Sequence, residues 1–166
     1  TANFGATSFA YASAHGFGGL DVGPTTSTFD PAAKSAHITL SGGNLVATSD
    51  GYASYATALV TNEKTTGKWY AEFTITNAAG SAGIEVGICL PSDRPPDASA
   101  LGFNGDSFSY RSWDGKSTTA GSASTYGAAF TTGDVISVAF NGDTHVLNFW
   151  KNGTDQGQAY AGIFAQ

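Results

Sequence analysis

Two glutamates on neighbouring predicted strands are the first residues that suggest chemistry. Glu72 lies in K-W-Y-A-E-F-T-I and Glu85 in I-E-V-G-I, where each alternates with apolar residues. Paired carboxylates about 5–9.5 Å apart can hydrolyse a glycosidic bond, so a polysaccharide-degrading enzyme would need Glu72 and Glu85 in one groove. The chain lacks an E-x-D-x-x-E spacing. We favour solvated or hydrogen-bonded strand carboxylates, and we predict no catalytic residue.

The other chemistry-bearing residues show no metal or nucleophile pattern. The 3 histidines are far apart and lack the H-x-x-x-H and H-E-x-x-H spacings of zinc sites. Cys89, the single cysteine, has no histidine or basic residue near it in sequence, which favours an inert buried thiol. One loop carries Asp93, Asp97 and Asp106, and these carboxylates could bind Ca²⁺. The loop lacks the ligand spacing of an EF-hand. We predict no metal and no cofactor.

Aromatic and charged residues in predicted loops favour recognition of a ligand instead. Tyr and Trp anchor protein interfaces and also stack on sugar rings, and loops on a rigid scaffold concentrate such residues. The predicted ligand-binding surface comprises Tyr55, Arg94, Phe103, Tyr110, Arg111, Trp113, Asp114 and Tyr126. The alternative for Phe103, Tyr110 and Trp113 is that they fill one end of the core. We expect Tyr55, Arg94, Trp113 and Tyr126 to be exposed.

The composition narrows the class of partner. The chain has 166 residues, enough for one ordinary domain, and a net charge of −6 with only 7 Lys and Arg. It therefore lacks the basic stripe of a nucleic-acid-binding protein. No apolar run is long enough to predict membrane insertion. Aromatic residues make up 13% and charged residues 12%, a balance that favours a packed core over disorder.

The elements that must position these residues are β-strands. Apolar and polar residues alternate with period 2 along the chain, and no long segment keeps a helical period. The predicted strands are 68–77, 84–90, 135–140 and 146–151, with weaker ones at 36–40, 44–48, 54–60, 107–111 and 158–164. Asn141-Gly142 and Asn152-Gly153 predict two-residue hairpins, and Asp114-Gly115 a further turn. We predict an all-β sandwich of two antiparallel sheets with little or no helix.

From residue 28 to residue 163 the chain resembles the SPRY domain family. Phe29-Asp30-Pro31 and the following H-I-T-L-S resemble the family's opening strand, and G-K-W-Y-A-E-F at 67–73 resembles its most recognisable motif. Further matching segments follow in order, at 83–88, 101–110, 127–139 and 147–159. Any one of these would be weak evidence, but six in the family's order are specific.

The resemblance implies a fold and a kind of function. SPRY domains are bent, concanavalin-like sandwiches that bind mostly protein partners through loops, without a catalytic constellation or cofactor. The Ala-, Gly-, Ser- and Thr-rich sequence looks more like the bacteriophage and bacterial versions. We therefore expect a non-enzymatic module that binds a protein or a cell-surface glycan. The expected setting is a phage virion appendage or a bacterial surface protein, so the location is the virion or the cell exterior.

The two ends of the chain depart from the family pattern. The family's usual final strand is missing before Gln166, and the start of the chain resembles the segment after that strand in phage versions. Tandem repeats, a permuted order or a strand lent between subunits would each explain this. We divide the chain into an N-terminal arm, 1–26, and a sandwich, 27–166. The residues expected to pair with the sandwich, in the same chain or a neighbour, include Asn3, Phe4, Phe9 and Tyr11. An alternative role is purely architectural, as a subunit of a homo-oligomer or repeat array that assembles by strand exchange.

Overall fold

The chain folds into antiparallel strands. The computed structural model describes residues 2–4, 27–51, 55–61, 66–78, 83–90 and 100–165. These ranges contain no helix, and therefore none long and apolar enough to cross a membrane. The strands are β1 (Ala2–Phe4), β2 (Phe29–Lys34), β3 (Ile38–Ser41), β4 (Val46–Ser49), β5 (Ala58–Val60), β6 (Lys68–Ile75), β7 (Glu85–Cys89), β8 (Ser107–Arg111), β9 (Ser117–Thr119), β10 (Ser122–Ser124), β11 (Val135–Asn141), β12 (Val146–Lys151) and β13 (Thr154–Ala161). The all-β class predicted from the alternation is confirmed.

Three groups of strands make up the sandwich. A seven-stranded sheet has the order β13-β12-β11-β6-β1-β4-β3, and a four-stranded sheet has the order β10-β9-β8-β7. β2 and β5 form a separate pair. The two larger sheets correspond to the two antiparallel sheets that the sequence predicts, and the β2–β5 pair is an addition to that prediction.

The main core lies between the seven-stranded and four-stranded sheets. Successive side chains of a strand point to opposite faces, so every second residue of β6, β8, β11 and β12 enters it. Its buried members are Ile75, Val86, Phe108, Tyr110, Phe130, Ile136, Val138, Phe140, Leu147, Phe149 and Ile163. A smaller cluster of Phe29, Ile38 and Ala47 joins the β2–β5 pair to the β3–β4 end of the large sheet.

The turn between β12 and β13 follows from its two residues. Asn152 and Gly153 both have positive φ, 50° and 76°, and Lys151 pairs with Thr154. This confirms the predicted two-residue hairpin, since a type I′ turn needs positive φ at both central positions. The tight turn makes pairing resume at Thr154, four residues before the start we predicted for this strand.

The β11–β12 connection is longer than predicted. Asn141 pairs with Val146, so residues 142–145 form the loop and Asn141-Gly142 is not a two-residue turn. The Asn141 side-chain oxygen accepts hydrogen bonds from the backbone N–H groups of Asp143 and Thr144. An asparagine side chain that bonds its own backbone in this way stabilises a wider turn. The prediction of a hairpin was right, and the predicted turn type was wrong.

β2 is a strand that the alternation did not predict. Its pairing with β5 is regular only near its ends, where Phe29 faces Val60 and Lys34 faces Ala58. Pro31 lies between these points. Proline has no N–H to donate, which confines it to edge strands and irregular pairings. The proline therefore interrupts the alternation of apolar and polar residues that identifies a strand in the sequence. The two ends of β2 nevertheless pair with β5.

Candidate functional site

A group of aromatic and charged side chains, some exposed and some half-buried, lies where β8 ends. After Arg111 the chain turns through residues 112–116 into β9. Trp113 in this turn is 48% exposed, and Tyr55, which precedes β5, is 47% exposed. The pKa of Arg111 is raised mainly by its hydrogen bond to Asp114 and in small part by Tyr55, which is therefore within electrostatic range of the guanidinium. We call the set Tyr55, Arg111, Trp113 and Asp114 the Arg111 surface.

Three hydrogen bonds of Ser112, two with Ile84 and one with Phe130, fix the backbone of the turn. Its N–H donates to the Ile84 carbonyl at 2.9 Å, and its carbonyl accepts from the Phe130 N–H at 2.9 Å. Its hydroxyl oxygen accepts from the Ile84 N–H at 2.8 Å. Ser112 is buried, so these bonds are shielded from water and hold the turn against β7 and the segment before β11. The side chains on either side of Ser112 are thereby presented from a rigid base.

Two glycines allow the turn to pack closely. Gly115 has φ +67°, and a Cβ there would lie 2.2 Å from the Gly127 carbonyl oxygen. Gly83 has φ +68°, and a Cβ there would lie 2.1 Å from Cε3 of Trp113. The indole ring therefore rests directly on the Gly83 backbone. Only glycine combines this conformation with this close an approach.

Electrostatic contacts hold the Arg111 guanidinium in place. Its Nε donates to Asp114 Oδ1 at 3.1 Å, and its Nη2 donates to Oδ2 of the same carboxylate. Its central carbon lies 4.5 Å from the centroid of the Trp113 ring, a cation–π distance. The hydrogen bonds between the two side chains lower the pKa of Asp114 and raise the pKa of Arg111. The pair is thus fully charged at neutral pH.

Glu85 adds a second carboxylate on the same face of the four-stranded sheet. It stands opposite Arg111 in the β7–β8 register, and residues directly opposite share a face. Its Oε2 accepts a hydrogen bond from the buried Ser109 hydroxyl at 3.0 Å. Burial raises the pKa of Glu85, while the Ser109 bond and the Arg111 charge oppose that shift. A charged group of a ligand arriving at Arg111 would therefore also act on Glu85.

The sequence placed eight residues on the binding surface, and the structure separates them. Tyr55, Phe103 and Trp113 are the exposed large hydrophobic residues within the described ranges. Phe103 lies in the loop before β8, whereas Trp113 lies in the turn after it. Arg94 lies outside the described residues, so its place in the site stays a prediction.

Tyr110 and Tyr126 belong to the interior rather than to the loop surface. Tyr110 is fully buried and its hydroxyl donates to the Ala128 carbonyl, so the alternative of filling the core applies to it. Tyr126 is half-buried, packs edge-on against Tyr110, and donates to the Gly157 carbonyl at 2.7 Å. Its expected exposure was wrong, because an aromatic ring that also satisfies its hydroxyl can close the core.

The predicted N-terminal pairing residues are described only in part. Asn3 and Phe4 lie in β1, which pairs with β4 and β6 of the same chain. Phe9 and Tyr11 lie outside the described residues, as does the rest of the predicted arm beyond β1. The boundary between an arm, 1–26, and a sandwich, 27–166, therefore stays a prediction.

The two candidate catalytic glutamates point away from each other. Their neighbours Phe73 and Val86 both contact the main core from opposite sheets. By strand alternation Glu72 and Glu85 then lie on opposite outer faces of the sandwich. Glu72 accepts hydrogen bonds from the hydroxyls of Tyr70 and Ser137. The two carboxylates share no groove, so the polysaccharide-degrading alternative based on this pair was wrong.

Metal binding has no support in the described part of the chain. Those residues contain no group of three or more His, Cys, Asp or Glu that could hold an ion. Of the aspartates considered for Ca²⁺, Asp106 is described, whereas Asp93 and Asp97 lie outside the described residues.

Sequence reasoning missed the residues that support the Arg111 surface. Gly83 and Ser112 are as important to its geometry as the exposed side chains, and Glu85 places a carboxylate opposite Arg111. The preferred prediction for Glu85, a hydrogen-bonded strand carboxylate, is confirmed by its bond to Ser109. Its place opposite Arg111 was not predicted, although its strand lies beside the arginine-bearing strand. The roles of Gly83 and Ser112 depend on contacts with residues about 30 positions away, for which a single sequence carries no local signal.

Comparison with known proteins places the chain in a family. A family model described as the SPRY domain matches residues 68–165. The chain belongs to the SPRY family. This SPRY domain is similar to the crystal structure of the SPRY domain of human HERC1, with a TM-score of 0.64 and 21% identity over 82% of this chain and 83% of that chain. At that identity the likeness establishes the fold, and the predicted sandwich is confirmed. No curated protein matches the chain. SPRY domains are generally protein-interaction modules and typically lack catalytic activity.

Proposed function

We propose that this SPRY domain is a recognition module that binds a protein ligand through the Arg111 surface. The observation that carries the proposal is the arginine held between the Trp113 ring and the Asp114 carboxylate, beside the exposed Tyr55. Trp, Tyr and Arg are the residue types that dominate binding energy at protein interfaces. Here Arg111 and Trp113 lie at the end of β8 and in the turn after it, which buried hydrogen bonds of Ser112 fix, and Tyr55 comes from the segment before β5.

Preorganisation is the main physical argument for this surface. Ordering a long side chain on binding costs about 0.5–1.5 kcal/mol. Arg111 is already held by two hydrogen bonds and an aromatic face, so a ligand meets it in a defined orientation. The indole remains half exposed and can pack against an apolar or planar group. Since an indole also stacks on sugar rings, a cell-surface glycan is the alternative ligand that the experiment must separate.

The proposal is tested with two ligand libraries and matched variants. Peptides selected from a display library and a glycan array should be probed with the full chain and with Trp113→Ala. For a selected ligand, Trp113→Ala and Arg111→Ala should each weaken binding at least tenfold, as expected for interface hot spots. Phe103→Ala removes an exposed aromatic residue outside the Arg111 surface, and Lys116→Ala removes a positive charge beside Asp114; both should change binding less than threefold.

Two outcomes would contradict the proposal. Peptide ligands that bind Trp113→Ala and wild type equally would place the site elsewhere. Saturable binding to glycans only, lost in Trp113→Ala, would keep the surface and replace the protein ligand with a carbohydrate.

We also propose that the domain belongs to a phage virion appendage or a bacterial surface protein of the bacteriophage and bacterial type. The support is compositional: 22 glycines, 12% charged residues and only 7 Lys and Arg in 166 residues. Antibodies raised against the purified chain should label intact virions or cells of the organism that encodes it. Labelling that appears only after lysis would contradict this setting.

A further inference from the structure

β1 occupies a slot in the interior of the seven-stranded sheet. Its three residues, Ala2–Phe4, pair antiparallel with β6 on one side, and Ala2 and Asn3 also pair antiparallel with β4 on the other. Asn3 faces Val46 of β4 and Thr74 of β6. In the described sheet β4 and β6 are not paired with each other, because β1 separates them. This short strand therefore joins β3 and β4 to the rest of the sheet.

Removing β1 from the slot would expose two strand edges that face each other. Each edge carries unpaired N–H and C=O groups, and such edges recruit other strands. An occupant of this slot forms backbone hydrogen bonds on both sides, whereas an ordinary edge strand forms them on one side only. The slot is therefore a stronger strand acceptor than the outer edge of β3 or β13.

The chain that follows β1 is long enough to let it leave its own sandwich. Residues 5–28 connect β1 to β2, and a segment of that length extends up to roughly 80 Å. The same strand inserted into a second copy would form the same backbone pairs in the same register. Exchange therefore changes which copy supplies β1, while the backbone contacts of β1 stay the same. The free-energy cost of exchange is small for that reason.

We propose that the slot between β4 and β6 is a strand-acceptor site whose occupant is the β1 segment of this chain. A copy fills its own slot when dilute, because the tether keeps β1 at a local concentration in the millimolar range. When the concentration of copies is comparable to this local concentration of the tethered strand, a second copy supplies β1 and the two copies become linked. This site is separate from the Arg111 surface, which is formed at the end of β8 in the four-stranded sheet and by Tyr55 before β5.

Cross-linking of full-length chains tests the exchange directly. Both chains carry Cys89→Ala, one also carries Asn3→Cys, and the other carries Thr74→Cys, the residue that Asn3 faces across the β1–β6 pair. They are unfolded together, refolded at about 1 mM and oxidised. A mixed disulfide dimer is expected, and the control mixture with Ser122→Cys, an exposed position on β10, should give at least tenfold less. A chain with both Asn3→Cys and Thr74→Cys should close on itself when dilute.

Two results of the cross-linking would overturn the proposal. If the double variant closes on itself but the mixture gives no more dimer than the Ser122→Cys control, β1 stays in its own chain. If the double variant fails to close at all, β1 does not occupy the slot.

A peptide supplied in trans gives a second, independent test. Asn3→Pro in the full chain removes a backbone N–H and disfavours pairing of β1, so its own slot should open. A fluorescent peptide of residues 1–10 should bind this variant saturably and wild type at least tenfold more weakly, and the same peptide with Asn3→Pro should not bind. Equal binding to wild type and the variant, or none to a folded variant, would overturn the proposal. Trp113→Ala should leave peptide binding unchanged, which separates this test from that of ligand recognition.

Discussion

The contact between Gly83 and Trp113 gives the sharpest test of the Arg111 surface. A methyl group on Gly83 would lie 2.1 Å from Cε3 and 2.7 Å from Cζ3 of the indole. Carbon atoms in contact are ordinarily about 3.5–4.0 Å apart, so the ring would have to move by roughly 1.5 Å. Gly83→Ala should therefore dislodge Trp113 and weaken its stacking with Arg111.

The magnitude depends on the contacts that the ring loses. A tryptophan buries about 150–250 Å² when fully packed. Since Trp113 is 48% exposed, roughly 100 Å² of buried area is at risk, worth about 2.5 kcal/mol at about 25 cal/mol per Å². The cation–π contact adds about 0.5–1 kcal/mol, and an alanine at positive φ costs about 1–2 kcal/mol by itself. Because the ring can shift rather than leave, we expect Gly83→Ala to lower the free energy of unfolding by about 2–4 kcal/mol.

Gly43 supplies the matched control. It has the same φ, +68°, and a Cβ there meets nothing within 4 Å. Gly43→Ala should therefore report backbone strain alone, about 1–2 kcal/mol. Urea denaturation of both variants, repeated in a Trp113→Ala background, completes a double-mutant cycle. Most of the extra cost of Gly83→Ala should disappear in that background, and the remainder reflects the contact with the Ser112 hydroxyl oxygen at 3.1 Å. Equal costs of the two glycine variants in the wild-type background would refute the packing of Trp113 on Gly83.

Two further predictions concern the carboxylates beside Arg111. Burial raises the pKa of Glu85 above its ordinary 4.5, so the folded protein holds a proton that the unfolded chain releases, and stability falls as the pH rises from about 4.5 to the raised pKa. Glu85→Gln should flatten this part of a urea-midpoint-against-pH curve, and an unchanged slope would contradict it. Asp114 behaves oppositely: Arg111 holds its pKa below 3.8, so its stabilisation is complete at neutral pH and is lost as the pH falls through the lowered pKa. Asp114→Asn should lower stability at pH 7 by at most about 1 kcal/mol and remove that acid-side loss. Asp106→Asn, at an exposed position, should change stability at pH 7 by less than about 0.5 kcal/mol.

Short-range sequence signals predicted most of the strands. β6, β11 and β12 follow the alternation closely because a strand's pattern depends on residues two positions apart. The Asn152-Gly153 turn was predictable for the same reason, since positive φ at both positions selects those residue types. Irregular elements were not predictable in this way. β2 contains Pro31, which interrupts the alternation. Asn141-Gly142 has the sequence of a two-residue turn, but the Asn141 side chain stabilises a wider one.

The candidate site was predictable only as a set of residue types. We predicted Tyr110 on the binding surface, with core filling as the alternative. It shares one face of β8 with Phe108, and both are buried. Arg111 lies on the other face of β8 with Glu85 opposite, an arrangement that depends on the β7–β8 register. Register between distant strands is set by the packing of whole faces, and a single sequence does not specify it.

The position of β1 shows most clearly what the fold adds to the sequence. The departure of the chain's ends from the family pattern predicted that this segment pairs with the sandwich, but not that it pairs between β4 and β6. That position separates the two proposed functions in space, because the slot is in the seven-stranded sheet and the Arg111 surface is on the four-stranded sheet. Chains linked through β1 would therefore keep their Arg111 surfaces unaltered. An array built in this way would present many copies of the surface, and weak single contacts would add up to strong attachment. Strand exchange and ligand recognition are thus compatible in one assembly, with the first setting the number of sites that the second can use.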